Sequence, residues 1–468
     1  MSEIIITRAD LPDRGFIRSV SEHTWPSTYG HIITQEQIDF MLDWMYSDAS
    51  LEKQMNTGCE FYIASKQNDN GDLDPVGFCS VSPEDGAHKL NKLYVLPAAQ
   101  GTGAGIALLN KAIQFAKDNE TKQPKNLWLS QAMQFGKEPY SDPIGPMADR
   151  GEVTGLVIYK GYIIAKWGNP TAVEMIHSVT KSFVSTLVGL AYDKGLIHSI
   201  DDKVYPYLPP IQVIGDGVVN MNANPIAKTS FIYPFETEHN KKISWDHLLR
   251  QTSDWEGVLW GKPDWADRPS DKQEDWTTRK RFEPGTVFKY NDTRVNALAL
   301  AATTVWRKPL PEVLREQVMN PIGASNTWLW AGYQNAWIVL DGKMIQSVSG
   351  GGHFGGGMFI NAYDMARFGL LTLRNGNWNG KQIISADWMN KSKTATKANT
   401  GYGFMNYFLN TDQKMYPAAP ASAFAHLGNG TNAIYVDKEN DLVVVVRWIE
   451  DKQMNEFLKL LLSALPAK

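Results

Sequence analysis

The chain has 468 residues, with 46 Lys and Arg against 50 Asp and Glu and a formal net charge of −4. A near-neutral balance offers no general attraction to nucleic acid or to an anionic membrane, so the expected partner is a small molecule. The length exceeds one ordinary core and predicts two or three domains, while the only cysteines, Cys59 and Cys79, exclude a disulfide framework and a cysteine-based zinc cluster.

In chain order, the opening MSEIIITRADLPDRG lacks the basic, apolar and small-residue succession of a signal peptide, and no later run reaches membrane-spanning length. A cytoplasmic location is the expectation. Residues 1–130 then read as alternating helix and strand: FYIAS, PVGFCSVS and LNKLYV as neighbouring strands, the glycine-rich turn and helix of LPAAQGTGAGIALLNKAIQFAKDN, and NLWLS as a short further strand. A strand, a glycine loop and a helix start bring unpaired backbone N–H groups together, which makes an anion site.

The wording YVLPAAQGTGAG resembles the coenzyme A pyrophosphate loop of the GNAT N-acetyltransferases, with Gln100, Gly101, Gly103 and Gly105 at that family's positions. The resemblance implies coenzyme A or acetyl-CoA as a cofactor of this module. It stops short of a whole domain, because the family follows the strand matched by NLWLS with a helix and a final strand pair. Here QAMQFGKEPYSDPIGPMADRG follows, and Pro139, Pro143 and Pro146 forbid a regular helix and mark 131–150 as a linker.

From residue 151 the pattern changes. EVTGLVIYKGYIIAKWG predicts a strand pair around Lys160-Gly161, a helix begins at Ser178, and the tail gives two strands and an amphipathic helix. Strands at both ends with helices between predict one antiparallel sheet closed by the N- and C-terminal segments.

The helix start IHSVTKSF carries the chemistry. A lysine in the first turn opposes the positive end of the helix dipole, so its presence asks for a reason. Ser178 and Lys181, three apart, share a helix face. Burial beside a positive potential lowers a lysine's pKa, which lets it take the proton of a serine nucleophile. The plain alternative is a capping serine and a surface lysine. Two further segments weigh against it: FKYNDTR, where Tyr290 can act as second base or proton shuttle, and FAHLGNGTN, where His426 can line a pocket and the N–H of Asn429 can face an oxyanion. Trp255, Trp260, Trp265 and Trp276 crowd a loop-like stretch that can form a substrate-facing wall or a private core.

Taken in order, Ser178–Lys181, Tyr290 and His426–Gly428 resemble the serine β-lactamase and penicillin-binding-protein superfamily, nearest its class C-like branch of esterases, D-aminopeptidases and 6-aminohexanoate-dimer hydrolases. The resemblance spans about 145–468 and includes GLIHSIDDKVYPYLP, ISWDHLLRQTSDW and GGHFGGGMFINAYDMARFG. It implies an α/β sandwich with a five-stranded antiparallel sheet and an all-helical lobe, with the site between them and no metal or cofactor for this half. Two departures matter. Asp292 stands where the family usually has an amide, and His426-Leu427-Gly428 replaces Lys-Thr-Gly, which removes a fixed ammonium that would hold a substrate carboxylate.

The expectation is therefore a serine hydrolase domain at 151–468 cleaving esters or short amides, with Ser178, Lys181 and Tyr290 catalytic and Asn429, His426, Gly428 and Asp292 around the oxyanion and substrate. A weak β-lactamase or D,D-peptidase, a bifunctional chain whose acetyltransferase half matters, and a non-catalytic acylated sensor remain as alternatives.

Overall fold

The computed structural model describes residues 4–30, 33–67, 72–84, 87–96, 104–214, 229–269 and 278–465. The chain divides into two compact units, one of Met1–Glu120 with Tyr416–Ala419 and Asp451–Lys468, the other of Thr121–Met415 with Pro420–Glu450.

The first unit is built on an antiparallel meander of β1 (Ile4–Ala9), β2 (Glu60–Gln67), β3 (Leu73–Glu84) and β4 (Ala87–Val95). Strand alternation sorts its two faces. Phe61, Ile63 and Phe78 pack with Ile17 and Val20 of α1 (Arg14–Tyr29), Ile38 of α2 (Gln35–Tyr46) and Leu51 of α3 (Asp48–Asn56). Tyr62 and Cys79, paired across β2 and β3, point the other way and meet Ala112 of α4 (Ala104–Asp118) and Leu460 of the C-terminal helix, Met454–Ala464. The last helix of the chain thus completes the core of the first unit. Both cysteines are buried. Gln100, Gly101 and Gly103 lie outside the described residues, and Gly105 is the second residue of α4.

NLWLS, expected as a strand, is the start of helix α5 (Leu127–Phe135): the Asn126 side chain accepts from the Leu129 N–H at 2.8 Å and caps it. Five mostly apolar residues carry no decisive periodicity, and the cap is what selects the helix. The prolines do keep 139–146 out of a helix, but this stretch is seated in the second unit. The N–H groups of Ile144 and Gly145 donate to the Phe354 carbonyl at 2.9 and 3.0 Å, and that of Gly356 donates to Pro146 at 2.8 Å. Lys262 Nζ reaches the carbonyls of Tyr140 and Asp142 at 2.6 and 2.5 Å. The compact units group 121–150 with the residues that follow them and 451–468 with the N-terminal residues.

In the second unit, β5 (Thr154–Tyr159) and β6 (Tyr162–Trp167) form the expected hairpin, turning at Lys160 and Gly161 with φ of +50° and +84°. Later strands β7 (Phe408–Leu409), β8 (Phe424–Gly428), β9 (Asn432–Asp437) and β10 (Leu442–Arg447) complete an antiparallel sheet in the order β7-β8-β9-β10-β5-β6. Five long strands match the expectation, and the two-residue β7 is a sixth. Every residue of β9 and β10 is buried, so LVVVVR reads as a continuous apolar run rather than an alternating one. A second sheet was not foreseen: Glu174–Met175, Gly357–Ile360, Leu329–Leu340, Ile211–Ile214 and Thr229–Ile232 pair in that order, with Lys343–Val348 beside Leu329–Leu340.

The helices that position the site are α6 (Thr180–Asp193), α7 (Asp292–Trp306) and α8 (Ala362–Leu373). In α6 every residue from Thr180 to Ala191 is buried. Helix α8 lies on β9 and β10 through Gly369, where an added Cβ would stand 2.6 Å from a Val443 methyl and 2.7 Å from an Ile434 methyl. Gly369→Ala is expected to lower stability by about 1–3 kcal/mol through overpacking, although alanine is the better helix former by about 1 kcal/mol. Denaturant unfolding checks this, and a more stable variant would contradict the close packing.

Candidate active site

The segment before α6 makes one 3-10 turn, His177–Val179, and His177 adopts a left-handed φ of +46°. This turn leaves Ser178 half-buried at the head of α6 and carries Lys181 inward, where its side chain is wholly buried. Lys181 Nζ donates to Ser178 Oγ at 2.8 Å and to Asp292 Oδ1 at 2.5 Å. The lysine is in the first turn because a buried carboxylate and a serine oxygen receive its protons there.

Asp292 is fixed by the start of α7. Asn291 caps that helix, its side chain accepting from the Arg294 N–H at 3.0 Å and donating to the Asp264 carbonyl at 2.6 Å. Asp292 follows as the first helical residue, where a negative charge suits the dipole. Its backbone N–H donates to the Asp267 carboxylate. Its second oxygen, Oδ2, accepts from Arg268 Nη1 at 2.9 Å, and Arg268 Nη1 also reaches Asp267 Oδ1 at 2.5 Å. Four charges alternate in sign: Lys181, Asp292, Arg268, Asp267.

Tyr290 lies over this chain. Lys181 Nζ is 4.7 Å and the Arg268 guanidinium carbon 5.1 Å from the centre of its ring. Its hydroxyl points to Asn406 Oδ1 at 3.5 Å, and Asn406 Nδ2 donates to the Leu427 carbonyl at 2.6 Å, tying the tyrosine to β8.

These surroundings shift the titrating groups in different directions. Burial lowers the Lys181 pKa and Arg268 lowers it further, against the pull of Asp292. Burial works against the charged Asp292, yet Lys181 and Arg268 hold its carboxyl below the usual range. Burial and then Asp292 raise Tyr290, which Arg268 and a hydrogen bond with Ser178 partly offset. Ser178, Lys181, Tyr290 and Asp292 are thus brought together as the sequence suggested.

Gly428 belongs with them. A Cβ on it would lie 2.2 Å from the Ile176 carbonyl oxygen and 3.2 Å from the Ser178 nitrogen, so the end of β8 passes against the backbone of the serine turn. Asn429 follows, half-buried, with its side-chain oxygen accepting from the Gly430 N–H at 2.9 Å and from Gln123 at 3.3 Å.

His426 does not line the site. Its Nδ1 meets Ser182 Oγ at 2.8 Å, and Tyr407, Phe424 and Phe368 surround the ring at 4.6, 5.6 and 5.5 Å. Alternation along β8 sends this side chain into the layer between the sheet and α6. Of the two readings of the tryptophan stretch, the core holds for Trp255 and Trp260, while Trp265 packs on Tyr140 and Trp276 lies outside the described residues.

Sequence reasoning missed Asp267, Arg268, His353 and Glu138. His353 Nε2 is 2.8 Å from Glu138 Oε2 and 3.6 Å from Asp267 Oδ1. Those three side chains gather donor atoms within 4.8 Å of one another, but the Asp267 oxygen already accepts from Arg268, so they extend the ionic network. The one available signal was the glycine run of GGGHFGGGM. A Cβ on Gly351 would fall 1.6 Å from Asp292 Oδ1 and 2.2 Å from Lys181 Nζ, so only glycine lets this backbone cover the pair.

Residues 156–454 match the beta-lactamase family model. The chain belongs to the beta-lactamase family. Residues 18–133 match the acetyltransferase (GNAT) family. Solved structures that align with this beta-lactamase-family chain include a beta-lactamase/D-alanine carboxypeptidase from Pseudomonas syringae, 12% identical over 77% of this chain and 98% of that one, with a TM-score of 0.48. A penicillin-binding protein homolog from Caulobacter crescentus is 12% identical over 77% and 98%, with a TM-score of 0.47. A family VIII carboxylesterase is 16% identical over 77% and 98%, with a TM-score of 0.46. No helix among the described residues is long and apolar enough to cross a membrane.

Burial pushes the His426 pKa down to about 3. In the unfolded chain the same imidazole titrates near 6.5, so between these values the unfolded state binds the extra proton and stability falls as pH drops. His426→Gln, which keeps a polar partner for Ser182, should make the loss of unfolding free energy between pH 7 and pH 5 smaller by about 2 kcal/mol. Denaturant titrations at the two pH values measure it, and equal losses in both proteins would contradict an enclosed, neutral His426.

Proposed function

We propose that the second unit is a serine hydrolase that cleaves esters or short amides through an acyl-enzyme on Ser178. The observation that carries this reading is the 2.8 Å contact between Lys181 Nζ and the half-buried Ser178 Oγ, with Lys181 itself sealed against Asp292. Ser178 Oγ attacks the carbonyl carbon as Lys181 takes its proton. Tyr290, between Lys181 and Asn406, hands a proton to the leaving group and takes back the one held by Lys181, so that both are restored before deacylation. The N–H groups of Ser178 and Asn429 receive the oxyanion, a role supported by the approach of Gly428 to the Ser178 nitrogen. Water then attacks the acyl carbon and returns the proton to the serine oxygen.

Neutral substrates suit this site better than penicillins. His426 presents no charge to it, and the nearby cation Arg268 is already neutralised by Asp267 and Asp292. The match to the beta-lactamase family supports hydrolysis, and the serine mechanism rests on the geometry.

For the first unit, the match over 18–133 supports coenzyme A as ligand, and the start of α4 at Ala104 offers N–H groups that suit a pyrophosphate. Among the described residues, however, no strand lies beyond β4 to form a second wall. The residues therefore fit one part of the group, and acetyl transfer is not assigned to this unit.

Ser178→Ala should lower kcat/KM for a short-chain nitrophenyl ester by at least ~10³-fold, roughly 4 kcal/mol of transition-state stabilisation, with an unchanged melting curve. Retained turnover in a folded variant would overturn the assignment. In the native protein kcat/KM for the ester should exceed that for nitrocefin, and the reverse order would favour the β-lactamase reading.

A further inference from the structure

Arg268 stands apart from the rest of the charged chain. The side chains of Lys181, Asp292 and Asp267 are fully buried, whereas that of Arg268 is 30% exposed. Its backbone takes a left-handed φ of +49°, a conformation unfavourable for a long side chain. The guanidinium lies between two aromatic rings, 5.1 Å from the centre of Tyr290 and 5.6 Å from that of Phe135 on α5. Its Nη1 reaches both Asp267 and Asp292. Ring faces and two carboxylates therefore hold an arginine at one defined place beside the candidate base.

The two Asp292 oxygens are divided, Oδ1 to Lys181 and Oδ2 to Arg268. A carboxylate shared by two cations stabilises each less than it would stabilise one alone. Asp292 on its own would keep Lys181 protonated and idle as a base, and the second cation weakens that hold.

We propose that Arg268 is a positioning residue that keeps Lys181 usable as a base by taking part of the Asp292 carboxylate. The assignment rests on Lys181 acting as the base for Ser178. The direction agrees with the burial-lowered pKa of Lys181, on which Arg268 acts downward and Asp292 and Asp267 act upward. The other titratable groups around the cluster are His177 from the serine turn, Tyr290 at the start of α7 and His353 from the glycine loop. Glu138, bonded to His353, Lys289, whose ammonium donates to the Arg268 carbonyl, and the more distant Tyr333 and Tyr402 lie farther out. Among the described residues, the cations bonded to the Asp292 carboxylate are Lys181 and Arg268.

The test is the pH dependence of kcat/KM for a nitrophenyl ester in the full chain, with Ser178→Ala as the blank. Activity requires neutral Lys181, so it rises with pH through the pKa of that group. Arg268→Gln removes the competing cation and should move this acid limb to higher pH by about one unit, the scale expected of a charge within a few ångströms. Asp292→Asn should move it to lower pH, and Arg268→Lys, which keeps the charge, should restore most of the native position. If Arg268→Gln does not fold, the opposition between Arg268→Lys and Asp292→Asn still decides, since a limb that fails to move acidward in Asp292→Asn overturns the proposal. A limb unmoved in Arg268→Gln, with only the plateau lowered, makes Arg268 structural and overturns it while leaving serine hydrolysis standing. Turnover that survives in Ser178→Ala overturns both.

Discussion

The contact on which the rest of the site depends is the buried ion pair of Lys181 and Asp292, two side chains with no solvent exposure. Removing one partner of such a pair leaves an uncompensated charge in a low-dielectric interior, at a cost of several kcal/mol. The pair is therefore a constraint on everything near it. It explains why a lysine tolerates the positive end of α6, why the first residue of α7 is an aspartate, and why Ser178 Oγ has a hydrogen-bond donor at 2.8 Å.

Geometry around the pair follows from that constraint. The backbone at Gly351 covers it so closely that any side chain would collide with both charges. The glycine loop is in turn held by hydrogen bonds between Phe354 and Ile144 and between Gly356 and Pro146, so the proline-rich stretch after α5 helps enclose the ionic network. Farther out, Asp254 and Asp264 bind Arg294, Arg279 and Arg281 and anchor the loop that delivers Asp267 and Arg268. Asp292, Asp254 and Asp264 are each shared between two or more cations.

Much of this was legible in the sequence, for physical reasons that differ by element. Ser178, Lys181 and Tyr290 stood out through a lysine in the first turn of a helix and the three motifs taken together, and the β5–β6 hairpin because Lys160-Gly161 supplies the positive φ of a tight turn. Other features needed the fold. His426 has the wording of a site residue, but alternation along β8 turns it into an aromatic enclosure. Arg268 gives no local sign of its role, because its carboxylate partner on α7 lies 24 residues away. NLWLS was misread because five residues are too few to show a period, and the capping Asn126 outweighed the strand pattern. The place of the C-terminal helix in the first unit is a long-range pairing that no local pattern can announce.

The central claim is that Ser178 is acylated while Lys181, held by Asp292, manages its proton. Acid quenching during turnover of a short-chain nitrophenyl ester, followed by peptide mass mapping, tests it most directly. The account predicts a transient acyl group on the peptide carrying Ser178, absent from Ser178→Ala and suppressed in Lys181→Met. An acyl group on another residue, or its undiminished formation without Lys181, would contradict it.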